Sequence, residues 1–158
     1  MITLHRHLKK RTRSAYRRLQ ASLEGLTEEG ATHGARPDWH RYRHGTGLDG
    51  SIRGILVHLG VWKRAAARGV CTGAFPDAET LVPAPGDLPA LLAWLDAGHA
   101  ELARTLDDLG EDDLERVVDW EGYAMTAAEA FAHLIEHDQY HTGQVNLLRQ
   151  QMGHALPE

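Results

Sequence analysis

The chain has one cysteine, Cys71, in 158 residues, so no internal disulfide can staple the fold. A reducing compartment fits that usage, with Cys71 a bystander thiol. Basic residues are in deficit: 17 Lys and Arg against 22 Asp and Glu give a formal charge of -5, short of the cationic excess that neutralising phosphates requires. A general nucleic-acid binder is therefore disfavoured. No run approaches the ~18 apolar residues of a membrane span. The opening MITLHRHLKKRTRSAYRRL turns basic where a secretory signal would need an apolar stretch. These absences set a cytoplasmic location and no membrane partner as the expectation. β-Branched residues are sparse and scattered, with no alternating pattern bounded by hairpin turns, which leaves an all-α reading.

The composition that remains, 42% hydrophobic and 25% charged, is that of an ordinary globular protein. The length predicts a single domain over 1–158, large enough to bury a core unaided. Four segments carry helical spacing. The first runs from about Thr3 to Thr27, with Leu4, Leu8, Tyr16, Leu19, Leu23 and Leu26 as its stripe. Glu28 to Gly50, with five glycines and Pro37, reads as a long connection, and its Trp39, His40, Tyr42 and His44 suggest a covering segment. The second helix begins at an Asp49 or Ser51 cap and runs to about Ala67. Gly69 to Gly86, broken by Pro76, Pro83 and Pro85, is a second connection. The third runs from Asp87 to Gly110, a cap and a stop. An acidic stretch, Glu111 to Glu121, leads to the fourth, which opens on Thr126 and Glu129 at capping-box spacing and closes at Gly153. Helices of this length joined by unequal connections predict a four-helix bundle with a crossover.

Eleven histidines are many for such a chain. His133, His137 and His141 are each four apart on the fourth helix, and neighbours at that spacing stack along one face. With Leu134 as origin and about 100° per residue, the apolar arc covers roughly ±60°. His141 falls inside it, His137 at its margin and His133 outside, so His137 and His141 are the inward pair and His133 a surface or interface residue. On the second helix His58 interrupts an otherwise apolar run, Ile55 to Leu59, on or near the buried face. An unpartnered buried imidazole costs on the order of 1–3 kcal/mol. Either hydrogen bonds from other side chains or a shared divalent metal ion would relieve that cost. Three histidine ligands would leave a fourth position open, as in catalytic zinc sites. Asp138 also points inward, either orienting a ligand histidine, acting as a base, or pairing with an Arg or Tyr from another helix. Trp62, one turn beyond His58, either walls a substrate pocket or belongs to the core. Lys9, Lys10, Arg11, Arg13, Arg17 and Arg18 form a solvated face that could dock an anionic partner or the acidic stretch.

Two segments carry a resemblance: Ser51-Ile-Arg-Gly-Ile-Leu-Val-His58-Leu59, followed by Trp62-Lys63, and His137-Asp-Gln-Tyr-His141-Thr-Gly-Gln144. In these the chain resembles the DinB/YfiT-like superfamily, the damage-inducible family and not the DNA polymerase of that name. The resemblance implies an up-down-down-up bundle, often a homodimer, with a zinc- or nickel-like ion on His58, His137 and His141. It further implies a metal-dependent enzyme acting on a small molecule. Thiol S-transfer with bacillithiol, mycothiol or glutathione stands ahead of hydrolysis, with the thiol or a water as nucleophile. The alternative is a non-catalytic metal-binding or stress-response bundle.

Overall fold

A computed structural model describes residues 3–36, 46–84 and 86–154. Pro37, Trp39, His40, Tyr42, His44 and Pro85 lie outside the described residues. Among those described are six helices and one two-stranded sheet: α1 (Leu4–Leu23), α2 (Glu28–Thr32), α3 (Ile52–Thr72), α4 (Leu88–Asp108), α5 (Glu111–Leu114), β1 (Val117–Trp120), β2 (Tyr123–Thr126) and α6 (Ala127–Gln151). No helix of the described residues is long and apolar enough to cross a membrane.

Side-chain caps set the helix starts. Thr3, Ser51, Asp87 and Thr126 each accept a backbone N–H from the first turn, and Thr126 and Glu129 close a reciprocal capping box. The helices differ from expectation at their other ends. α1 stops at Leu23, ahead of Gly25 in the left-handed region, and a one-turn helix, α2, follows within the expected loop. α3 continues past Ala67 to Thr72, where Gly73 at φ 87° returns its N–H to Gly69 O.

The four long helices pack against one another, α3 on α4 and α6, and α1 on α6 and α4. Leu19, Leu56, Leu59, Leu95 and Val145 fill one end of the interior, and Val61, Ala65, Leu102, Leu106 and Phe131 the other. Lys9 and Arg13 of the basic face pair with Asp107 of α4, not with the acidic stretch.

That acidic stretch holds the departure from an all-α reading. β1 and β2 form an antiparallel hairpin with Val117 opposite Thr126 and Trp120 opposite Tyr123. Its two turn residues, Glu121 at φ 51° and Gly122 at φ 87°, both take the left-handed conformation that matches the twist of a two-residue hairpin. Val118 and Trp120 point inward while Val117 and Asp119 face out. The hairpin is also tied to the end of α3, since Asp119 N donates to Gly73 O and Phe75 N to Asp119 O.

Candidate metal centre

α3 and α6 bring three imidazoles to one point. The Nε2 of His137 lies 2.9 Å from that of His58 and 3.1 Å from that of His141. Their ring centroids are 4.5–4.9 Å apart, steeply tilted to one another. His58 and His141 are buried and His137 half-buried. Among the described residues this is the one cluster of three such donors close enough to share an ion.

Hydrogen bonds fix which nitrogen of each ring faces the others. His58 Nδ1 donates to the carbonyl of Thr46 at 2.9 Å, which leaves its Nε2 with a free lone pair. His141 Nδ1 lies 2.6 Å from Oε1 of Gln144, whose amide nitrogen in turn donates to the Tyr140 hydroxyl. That orientation makes Gln144 an acceptor and again frees Nε2. Two lone pairs therefore converge on the Nε2 of His137, whose single proton could satisfy only one of them well. His137 Nδ1 is buried and has no partner in the described residues. A ligand histidine usually donates that proton outward, so His137 is the least supported of the three.

Burial dictates the charge state. Removal from water pushes His58 down to about 4, an effect the His141 charge reinforces and the Thr46 carbonyl partly opposes. His137 is lowered to about 2 by burial first and then by its histidine neighbours and Lys63. Burial also lowers His141, against the pull of Gln144 and Asp138. All three are neutral near pH 7, the form that ligates metals.

The donor set fits a divalent cation of borderline softness. Three nitrogens held at Zn–N distances of about 2.0–2.1 Å in tetrahedral array would stand about 3.3 Å apart. The two separations to His137, 2.9 and 3.1 Å, fall just inside that figure, and all three nitrogens lie within 4.8 Å of one another.

His133 is exposed, with its ring edge-on to Trp120 at 5.1 Å, and is not among the converging nitrogens. Asp138 is buried, and both its oxygens accept from Lys63 Nζ, at 2.5 and 2.6 Å. Trp62 is 5% exposed and lines a cavity of about 380 Å³ together with His58, His137 and Trp120. Cys71 is exposed and free. Among the described residues, a side chain at Gly143 would meet nothing within 4 Å, so no close helix approach depends on it there.

Sequence reasoning missed Lys63, Thr46 and the hairpin wall of the cavity. Lys63 carried a signal, for it follows Leu56 by seven residues and Leu59 by four and so lies on their stripe. Thr46 contributes a backbone carbonyl, for which no side-chain pattern exists.

Comparison with protein families finds that the model described as the DinB superfamily matches residues 11–145. No curated protein matches the chain.

Proposed function

The chain belongs to the DinB superfamily, and from that membership and the imidazole geometry we propose that it holds a divalent metal, zinc or nickel, on His58, His137 and His141. The observation that carries this reading is the convergence of three Nε2 atoms, two with their lone pairs turned inward by Nδ1 hydrogen bonds. Neutral imidazoles at contact distance, with too few protons to satisfy one another, are a poor end state for a core and a good cradle for a cation.

We also propose an up-down-down-up bundle over a single domain. Gly60 faces Trp94, Gly98 faces Arg64 and Thr105 reaches Ala67, so contacts climb together along α3 and α4. His5 reaches Leu106 and Tyr16 reaches Asp96, which descend along α4 as α1 ascends. Parallel neighbours need a crossover, and residues 73–87 supply it.

The proposed activity is metal-dependent chemistry on a small molecule, with S-transfer from a low-molecular-weight thiol ahead of hydrolysis. When bound, the cation would supply Lewis acidity, making a thiol or water nucleophilic near neutral pH. The chain's own part is to present neutral nitrogens, to hold His58 through Thr46 and His141 through Gln144, and to keep an apolar cavity beside them. Asp138 is engaged by Lys63, so its role is to fix α6 against α3 rather than to accept a proton from substrate. Cytoplasmic location and a homodimer complete the proposal.

Elemental analysis of protein prepared without added metal tests the centre. Stoichiometric metal is expected in the wild type, and its loss in His58→Ala and His141→Ala. Retention by both variants would overturn the assignment. Incubating loaded protein with bacillithiol, mycothiol or glutathione and an electrophilic dye then separates transfer, which consumes the thiol, from hydrolysis, which does not.

A further inference from the structure

The cavity beside the imidazoles carries information about what enters it. Trp62 and Trp120 line it, stacked with centroids 5.4 Å apart and planes 20° from parallel. Phe75 stacks on Trp120 at 4.4 Å without itself lining the space. Both tryptophans are largely buried, and β1, which bears Trp120, is bonded to β2 and to the segment after α3. A wall held this way is ordered before any ligand arrives, so a flat molecule meeting it incurs little extra entropy cost. Met125 and Leu134 add apolar surface to the lining, and Glu121 contributes its one carboxylate. Thioethers adapt to irregular shapes and contact aromatic rings favourably.

Charge narrows the choice. The segment that builds the wall, residues 111–121, has six carboxylates and one cation, Arg116, whose guanidinium is engaged by the Val70 carbonyl. That field disfavours anions. Glu121, in the lining itself, extends that field into the cavity. Size narrows it again: about 380 Å³ is near the lower end of the roughly 300–1,000 Å³ of small-molecule pockets. Exposed Tyr123 and His133 stand at its opening, and the His58 and His137 rings form its buried side.

We infer that this cavity takes a compact molecule without negative charge and with a flat aromatic or conjugated body, laid against the Trp62–Trp120 wall with one edge toward His58 and His137. The inference rests on the proposed metal centre only for what becomes of that edge; binding itself depends on the wall. It names the substrate class for the activity proposed above.

Calorimetric titration with 2-naphthol, 2-naphthoate and 2-decalol tests it, since the three share a skeleton and differ in charge or flatness. The naphthol is expected to bind about tenfold or more tighter than either of the others, as loss of aromatic contact or burial of a charge would dictate. Affinity is expected to be similar in chelated and metal-loaded protein. Trp120→Ala should weaken naphthol about tenfold. Met125→Trp, at a half-buried position on the hairpin, should abolish binding by filling the space and serves if Trp120→Ala fails to fold. Equal affinities for the three compounds, or wild-type affinity in Met125→Trp, would overturn the inference. Metal content of His141→Ala, which does not line the cavity, is measured alongside. Metal retained there with naphthol selectivity intact sinks the metal centre alone, and the reverse pattern sinks the cavity assignment alone.

Discussion

Neutralising Asp138 should be among the most damaging single changes available to this chain. Lys63 has no exposed surface and Asp138 only 2%, and Nζ sits within 2.6 Å of both carboxylate oxygens. The Tyr16 ring, 5.2 Å from Nζ, is its other favourable neighbour. Asp138→Asn leaves an ammonium group buried with only a neutral amide against it. Breaking such a pair on one side costs roughly 3–5 kcal/mol, a large part of the roughly 5–15 kcal/mol that holds a domain folded. Replacing both partners with apolar residues removes the desolvation penalty along with the attraction. Lys63→Met/Asp138→Leu should therefore recover most of the loss. Urea unfolding of the wild type, Lys63→Met, Asp138→Leu and the double variant, with a chelator present so that metal linkage does not contribute, gives the coupling energy directly, and Asp138→Asn is measured beside them. A cost below about 1 kcal/mol for Asp138→Asn, or a double variant as unstable as the sum of the singles, would refute the reasoning.

Two further outcomes follow from named contacts. Gly69→Ala places a methyl group against the ring of Phe75, which backs Trp120, so it should cost about 1–3 kcal/mol by overpacking and weaken naphthol binding in parallel; thermal melts and titration check both. His99 stacks on Tyr16, and burial, with Lys63 and Arg13 nearby, lowers it to about 3. Its folded-state value is depressed below the unfolded 6.5, so the unfolded chain binds more protons and stability falls as pH drops from about 6.5 toward 3. From pH 7 to 5 that linkage amounts to about 1 kcal/mol after allowing for partial exposure, and His99→Phe should lose correspondingly less over the same interval in denaturant titrations.

Much of the architecture was legible because helices announce themselves twice, by period and by caps. Ser51, Asp87 and the Thr126–Glu129 box start helices where they were expected to. The same period sorted the histidines of α6: His141 is buried, His137 half-buried and His133 exposed, in the order their phases give. The hairpin was illegible for a physical reason. Strands of four residues are too short to show alternation, and only Val118 and Trp120 face inward from β1. The residues that mark it, Val117, Val118, Trp120 and Tyr123 around Glu121-Gly122, sit inside a run dominated by acids, which masks their strand preference. Lys63 was overlooked because a lysine on an apolar stripe runs against the usual burial order. The Thr46 contact depends on where a loop backbone passes, and that is decided by tertiary packing alone.

The hairpin leads directly into α6 at Thr126, and its first strand is tied to the end of α3 by backbone bonds at Gly73 and Asp119. Backbone bonds are indifferent to side-chain identity. Exposed Tyr123 and half-buried Met125 can therefore be exchanged while the nitrogens of α3 and α6 stay where they are. A change on the hairpin's outer face would then alter what the cavity admits and leave the three imidazoles as they stand.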